Sequence, residues 1–286
     1  MAESCPACGV EIGVAAGRAV YGYTRLVRCM DCDSEFLSPQ PDDARLSAIY
    51  GPSYYEPWQW ERAPVVRAMK ARTFLRALAF LKPVAGARLL DVGCAQGELA
   101  EAAVSAGLKV TGVDLNAAAI DVARKRVPDA DFLCGELDPV TVKGGWDIVT
   151  MFDFIEHVRS PGETLGAAAA VLAPQGRLLI STPRAGSAVH RMTGRLWPQY
   201  REEHLVLFSL RGMRIALDSA GMKILKVVPT TKYVTFAYLF GQAATFGPGP
   251  MRALTRASRG LLALRPAHVR LPLRFGEMTI VAARKA

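Results

Sequence analysis

From Ala87 onward the chain alternates short apolar runs with longer amphipathic ones, and this pattern leaves few architectures open. Strand-like runs are Arg88 to Val92, Lys109 to Asp114, Asp131 to Cys134, Trp146 to Phe152, Gly176 to Thr182, Met222 to Val228 and Met278 to Ala283. Helical spacing falls near Glu98 to Ala106, Ala117 to Arg126, Glu163 to Leu172 and Leu210 to Ala220. Alternation of this kind predicts an α/β fold, a mainly parallel sheet with helices on both faces. Ligands of such sheets bind outside the carboxyl ends of the strands, so the strand ends are the place to look. With 286 residues, 51% of them hydrophobic, the chain can bury a sizeable core, and disorder is excluded as its main state.

The first strand runs through Leu89-Leu90-Asp91-Val92 into Gly93-Cys94-Ala95-Gln96-Gly97 and then a helix. Glycine at 93 and 97 permits a tight turn, and the free N–H groups of the next helix face whatever binds there. The middle glycine of the dinucleotide fingerprint is absent, which argues against a nicotinamide enzyme. Asp114 ends the second strand, about 20 residues after the turn, where a carboxylate can accept both hydroxyls of a ribose. Its other reading is a residue at the start of the helix from Ala117, and the two are compatible.

The ordered set Asp91-Val92-Gly93-Cys94-Ala95-Gln96-Gly97, Val113-Asp114, Trp146-Asp147-Ile148-Val149 and Leu172-Ala173-Pro174-Gln175-Gly176-Arg177-Leu178 resembles the successive motifs of class I S-adenosylmethionine-dependent methyltransferases. The resemblance covers about residues 87 to 228. It implies a Rossmann-like seven-stranded sheet and S-adenosylmethionine as cofactor. Asp91, Gly93, Cys94 and Gly97 would then border the methionyl part, and Asp114 and Leu115 the ribose. Gly135, Glu136 and Leu137 would flank the adenine, with Phe152 and Asp153 beside the sulfonium. This chain carries Ala95 where many members carry glycine.

Methyl transfer from a sulfonium is an in-line displacement, so alignment supplies much of the rate, and a base is needed only where the acceptor loses a proton. Candidates follow the fourth strand in Phe152-Asp153-Phe154-Ile155-Glu156-His157, with His204 farther on in Arg201-Glu202-Glu203-His204. His157 is a base candidate near neutral pH, and His204 a second acid/base or positioning group. In a helical turn Asp153, Glu156 and His157 would share one face. With the distant His204 they resemble the metal set of some small-RNA and ubiquinone-type O-methyltransferases, which implies Mg2+ or a similar ion orienting the acceptor oxygens. The strand ends in Met-Phe-Asp-Phe, not in an Asn/Asp-Pro-Pro-Tyr element, which speaks against methylation of a base amine.

Residues 1–40 form a separate pattern. Cys5-Pro6-Ala7-Cys8 and Cys29-Met30-Asp31-Cys32 are two Cys-x2-Cys pairs with twenty residues between them. Joined by a hairpin over Arg18 to Arg28, two such knuckles can close a tetrahedral, structural Zn2+ site, the first part of a zinc ribbon. Residues 41–83 read as a connector and N-terminal helix, with Val65, Met69, Phe74, Leu78 and Leu81 at helical spacing before Pro83. The ribbon with Leu37-Ser38-Pro39-Gln40-Pro41, Tyr50 and Tyr54-Tyr55 is similar to zinc-ribbon methyltransferases of bacterial natural-product, deoxysugar and surface-glycan pathways. In that resemblance Tyr54 and Tyr55 cover the cofactor; packing at the junction is the alternative. The remaining 84–286 is the methyltransferase domain, with a helical insertion at 229–276.

Charge divides the chain unevenly. Residues 1–183 hold 18 Lys and Arg against 22 Asp and Glu, whereas 184–286 hold 17 against 4. Arg252, Arg256 and Arg259 fall on one face of a helix-like run, Met251 to Leu264, able to lie on anionic lipid or to close over an acidic acceptor. The expected acceptor is a small molecule methylated on oxygen or carbon: a sugar, a lipid-linked compound or a secondary metabolite, anionic or held at an anionic surface. The competing class is a ribosomal or transfer RNA methyltransferase using the ribbon and the basic region. No run reaches the roughly 18 apolar residues of a membrane span, and no secretory leader is visible, so the chain reads as cytoplasmic with room for peripheral membrane contact.

Overall fold

The strand ends expected to carry function lie along one edge of a single large sheet in the computed structural model. It describes residues 3–12, 17–51, 54, 63–235, 238–239, 242 and 271–285. The N-terminal part contains β1 (Glu3–Ser4), β2 (Glu11–Ile12), β3 (Arg18–Val20), β4 (Thr24–Arg28), β5 (Glu35–Ser38), α1 (Asp43–Ile49) and α2 (Pro64–Leu78). The body continues with β6 (Arg88–Val92), α3 (Glu98–Ser105), β7 (Lys109–Asp114), α4 (Ala117–Arg126), β8 (Asp131–Cys134), β9 (Trp146–Phe152), α5 (Pro161–Val171) and β10 (Leu172–Pro183). Then come α6 (Ala188–Thr193), β11 (Val206–Leu207), α7 (Leu210–Ser219), β12 (Met222–Pro229), β13 (Lys232–Val234), β14 (Leu271–Leu273) and β15 (Glu277–Arg284).

Seven strands form the main sheet in the order β12-β15-β10-β9-β6-β7-β8. The pairs from β10 to β8 are parallel, and β15 runs antiparallel between β10 and β12. Alternate residues of each strand feed two cores, as a pleat requires. Leu90, Val92, Val149, Met151, Leu178 and Ile180 enter one core with α5 and α7, while Leu89, Ile148 and Leu179 enter the other with α3 and α4. The helix expected from Glu163 begins at Pro161, whose fixed φ and missing N–H suit the first helical turn. It stops at Val171, because Leu172 already belongs to β10.

The cysteine segment is built onto this body. A second sheet runs β11-β5-β4-β3, in which β5 pairs Phe36 with Val206 and Glu35 with Leu207. The three residues between β3 and β4 turn the chain with left-handed backbone at Tyr21 and Gly22, φ 52 and 79, before Val20 pairs with Thr24. Cys5, Cys29, Cys32, Phe36 and Leu37 share one core with Leu205, Val206, Phe208 and Met213. Ser209 caps α7 by accepting from the Gly212 N–H at 2.8 Å, its own N–H donates to Ser34 Oγ at 3.1 Å, and its hydroxyl donates to the Cys32 carbonyl. At Gly212 a methyl group would stand 3.2 Å from Cys32 Sγ.

Within the expected helical insertion the structure shows a two-stranded arm, with Lys232 opposite Leu273 and Val234 opposite Leu271. The arm packs on α2: Tyr233 N–H donates to Thr73 Oγ1, and Arg76 donates to the Tyr233 hydroxyl. The Met251 to Leu264 run with its arginines lies outside the described residues, as does Tyr55. Among the described residues no helix is long and apolar enough to cross a membrane.

Candidate functional site

Where β6, β7, β8 and β9 end, a cleft of about 1740 Å³ opens, roofed by α2, Tyr50, Tyr54 and the arm. Ten of the eleven residues expected at the cofactor line it: Asp91, Gly93, Cys94, Asp114, Leu115, Gly135, Glu136, Leu137, Phe152 and Asp153. Gly97 does not. It precedes α3 at φ 79 and backs onto α4, where a methyl group would meet Ala123 Cβ at 3.2 Å and the Phe132 ring at 3.4 Å. Its lack of a side chain serves close helix-to-strand packing, which spacing alone does not distinguish from ligand approach.

Gly93 stands at φ 74, and a Cβ there would run into the Phe154 ring. Ala95 adopts φ 46, unusual for a residue with a side chain, and its N–H donates to Asp114 Oδ2 at 2.9 Å. Asp114 Oδ1 accepts from the Asn116 N–H at 2.9 Å. The cap of α4 is Asn116, which accepts from the Ala119 N–H, so Asp114 braces the glycine turn instead of capping the helix. Burial raises the Asp114 carboxyl above its ordinary value, against the two backbone donors. Asp91 is 3% exposed, accepts from Thr150 Oγ1 at 2.7 Å and is pushed up to about 7 by burial. Leu115, 68% exposed, offers an apolar wall beside Asp114.

The cleft also contains His157 and His204, their rings 4.8 Å apart and edge to face. The Gln199 carbonyl can only accept, so the 2.7 Å contact with His204 Nδ1 puts the proton on Nδ1 and leaves Nε2 as an acceptor. His157 Nδ1 meets the Tyr50 hydroxyl at 2.8 Å. Burial lowers both imidazoles, His157 to about 4, so each is neutral at physiological pH. The same burial pushes Glu156 well above the carboxylate range, where it accepts from Thr182 Oγ1 at 2.9 Å.

Asp153 does not join this group. The turn after β9 is a 3-10 turn over Ile155–His157, and Asp153 precedes it at φ 47. The shared face expected from helical spacing therefore does not form. Its carboxylate instead meets Lys232 Nζ at 3.3 Å, and Lys232 also reaches Glu277 Oε1 at 2.6 Å. Glu156, His157 and His204 do bring one ligand atom each within 4.8 Å of one another. Mg2+ takes oxygen donors in an octahedron, and two imidazoles with one carboxyl raised by burial do not fit it. Lys232, Glu277 and Gln199 were not legible as site residues: they come from β13, β15 and an irregular loop, and no motif marks them.

The four thiols of Cys5, Cys8, Cys29 and Cys32 lie within 4.8 Å of one another, with Cys5–Cys32 and Cys8–Cys29 at 3.7 Å. A tetrahedron with Zn–S bonds of about 2.3 Å needs S···S separations of about 3.8 Å, so this set fits a four-thiolate Zn2+.

A Rossmann-like sheet with this order, a glycine turn braced by Asp114 and a cleft at the strand ends defines the class I methyltransferase fold. Residues 62–227 match the methyltransferase domain family, and the chain belongs to it. A ubiquinone biosynthesis O-methyltransferase of Bradyrhizobium sp. (strain ORS 278) is 34% identical over 125 residues, 42% of this chain and 49% of the relative. One of Thiobacillus denitrificans is 36% identical over 106 residues, 35% of this chain and 46% of the relative. The chain thus matches about half the length of these curated relatives. Among solved structures, magnesium protoporphyrin IX methyltransferase from Synechocystis PCC 6803 with bound S-adenosylhomocysteine aligns with a TM-score of 0.55 at 14% identity, covering 85% of this chain and 100% of that one. A plantazolicin methyltransferase in complex with S-adenosylhomocysteine aligns at 0.53 and 17% identity, covering 84% and 94%.

Proposed function

We propose that the protein transfers the methyl group of S-adenosylmethionine to a hydroxyl oxygen of a small-molecule acceptor. The observation that carries this reading is the neutral pair His157 and His204, set in the same cleft as the glycine turn and Asp114. The names of the curated relatives, O-methyltransferases, favour oxygen over carbon. S-adenosylmethionine would supply an activated methyl group on sulfur. Gly93 and Cys94 would border its methionyl part, Asp114 would accept from the ribose hydroxyls, and Leu115, Gly135, Glu136 and Leu137 would flank the base. Phe152 and Asp153 would stand beside the sulfonium. His157, held neutral by burial, would take the hydroxyl proton as the methyl group leaves, with His204 and Tyr50 fixing its orientation.

Zn2+ held by Cys5, Cys8, Cys29 and Cys32 has no open position and would hold the shape of the ribbon without taking part in the chemistry. The acceptor is a sugar, a lipid-linked compound or a secondary metabolite. Peripheral contact of a cytoplasmic enzyme with an anionic membrane is supported by Met192 and Leu196, 85% and 84% exposed beside Arg191 and Arg195. The RNA alternative is disfavoured because Cys5, Cys29 and Cys32 are buried against α7 and the exposed tip of the second knuckle carries Asp31 and Asp33, which would repel phosphate. Incubating cell extract with labelled S-adenosylmethionine and the enzyme tests the proposal. Label is expected on the oxygen of an organic-extractable molecule; label in the RNA fraction, or none beyond the control, refutes it. His157→Gln is expected to lower kcat about 100-fold or more, the usual share of a general base, with cofactor affinity unchanged.

A further inference from the structure

The wall of the cleft opposite the cofactor is an irregular segment, residues 197–205, between a 3-10 turn at Gly194–Leu196 and the two-residue strand β11. A segment with so few bonds of its own must be held from outside. Inward, Gln199 O fixes the Nδ1 proton of His204, and Gln199 Nε2 reaches Glu277 Oε1 at 3.4 Å. Outward, the same segment is held by the cysteine ribbon and its connector. The Tyr200 hydroxyl donates to Glu35 Oε2 at 2.8 Å, and His190 Nε2 lies 2.7 Å from that hydroxyl. The Tyr23 hydroxyl donates to Glu202 Oε1 at 2.8 Å, while Arg45 grips the same carboxylate through Nε at 2.5 Å and Nη2 at 2.8 Å. Leu37 N–H donates to Leu205 O at 3.0 Å, and the guanidinium of Arg18 lies over the Tyr200 ring.

Apart from His190, which belongs to α6, and the Glu156 carbonyl, which accepts from the Leu205 N–H at 2.8 Å, the holding groups come from residues 18–45. The cofactor turn at Gly93 to Gly97 and Asp114 is braced separately, by β7 and by Asn116. The two halves of the cleft thus have different supports.

We propose that the ribbon and its connector are the positioning device of the acceptor wall: Glu35 and Tyr23 of the ribbon and Arg45 of the connector hold residues 197–205 and thereby fix the tautomer and orientation of His204. This rests on the reading of His204 as an acceptor-side group, and it makes Tyr200 and Glu202 positioning residues. It gives the ribbon a task besides folding, since loss of its shape would loosen acceptor binding while sparing the cofactor half.

The test needs no acceptor. In protein labelled with 15N-histidine and saturated with S-adenosylhomocysteine, the His204 ring is expected to show the Nδ1–H tautomer with slow proton exchange. The double variant Tyr200→Phe with Glu202→Gln keeps both side-chain shapes and is expected to speed that exchange about ten-fold or more, the ratio that follows from losing one charge-assisted hydrogen bond. Tyr23→Phe, at a partly exposed position, provides a milder variant with an intermediate effect should the double variant fold poorly. The S-adenosylhomocysteine Kd is expected to stay within about two-fold in all of them. Unchanged His204 exchange overturns the proposal, as does an affinity for S-adenosylhomocysteine that falls in step with it. Failure of the wild-type protein to bind S-adenosylhomocysteine would instead sink the methyltransferase reading itself.

Discussion

Replacing Gly93 and Gly97 by alanine, one at a time, separates the cofactor turn from the scaffold that carries it. Both hold left-handed backbone, at φ 74 and 79, so alanine at either costs about 1–2 kcal/mol of strain. Each kcal/mol lowers the melting midpoint of a domain of this size by about 2–4 °C, so both variants should melt about 2–8 °C lower. Their neighbours differ. At Gly93 the new methyl group is driven into the Phe154 ring, which lines the cleft and must swing toward the space the cofactor needs. At Gly97 it meets Ala123 and Phe132 behind the turn, at 3.2 and 3.4 Å, where a small shift of α4 relieves it. Calorimetric titration with S-adenosylhomocysteine should therefore show affinity about ten-fold weaker or worse for Gly93→Ala, equivalent to about 1.4 kcal/mol, and within about two-fold of wild type for Gly97→Ala. Equal losses of affinity in the two variants, or full affinity in Gly93→Ala despite a lowered midpoint, would refute this division of the turn.

Asp114→Asn should weaken cofactor binding about ten-fold or more, because the amide replaces one of the two acceptor oxygens that hold the Ala95 and Asn116 N–H groups and that the proposed function assigns to the ribose; equilibrium titration measures it. His157 is held down at about 4 by burial, so its ring resonances should not shift between pH 5 and 8, and a titration near 6.5 in NMR spectra would contradict the burial argument. The sign for stability follows: between about 6.5 and 4 the unfolded chain binds the proton more readily at this position, so this contribution to stability is full above 6.5 and declines as pH falls toward 4. Removing Zn2+ with a thiol-directed mercurial should release about one equivalent per chain and lower the melting midpoint, since the thiols share a core with β5 and α7; release of none would remove zinc from the ribbon.

Much of this architecture is legible in the sequence because each strand is short, apolar and bounded by turn residues. β6, β7, β8 and β9 match their expected bounds, as does α4. What escaped reading depends on contacts between distant segments. The helical spacing of Asp153, Glu156 and His157 is real, yet the left-handed backbone at Asp153 sends its carboxylate to Lys232, 79 residues away. Gly97 has the sequence context of a ligand-facing glycine, and only its distance from Ala123 shows that it serves packing. Lys232 and Glu277 sit beside the cleft because β13 and β15 are brought together by the arm and the antiparallel strand, a relation that no local pattern records. The ribbon was readable as a cysteine pattern, but its pairing with β11 involves strand segments about 170 residues apart.

The excess of positive charge after residue 184 bears on the acceptor. Of the 17 Lys and Arg there, the described ones that line the cleft are Arg201 and Lys232. Both are matched inside the protein, Arg201 by Glu203 at 2.5 Å and Lys232 by Asp153 and Glu277. The histidines are neutral, and Glu156 is raised by burial. A reacting hydroxyl would thus meet uncharged groups on one side and carboxylates on the other, surroundings that suit a cationic sulfonium and oppose a second anion close to it. Among the described residues, then, the basic surplus belongs to the outside of the molecule, with Arg191 and Arg195 beside the exposed Met192 and Leu196. Under the proposed reaction, that distribution would favour a neutral acceptor in the cleft over an anionic one.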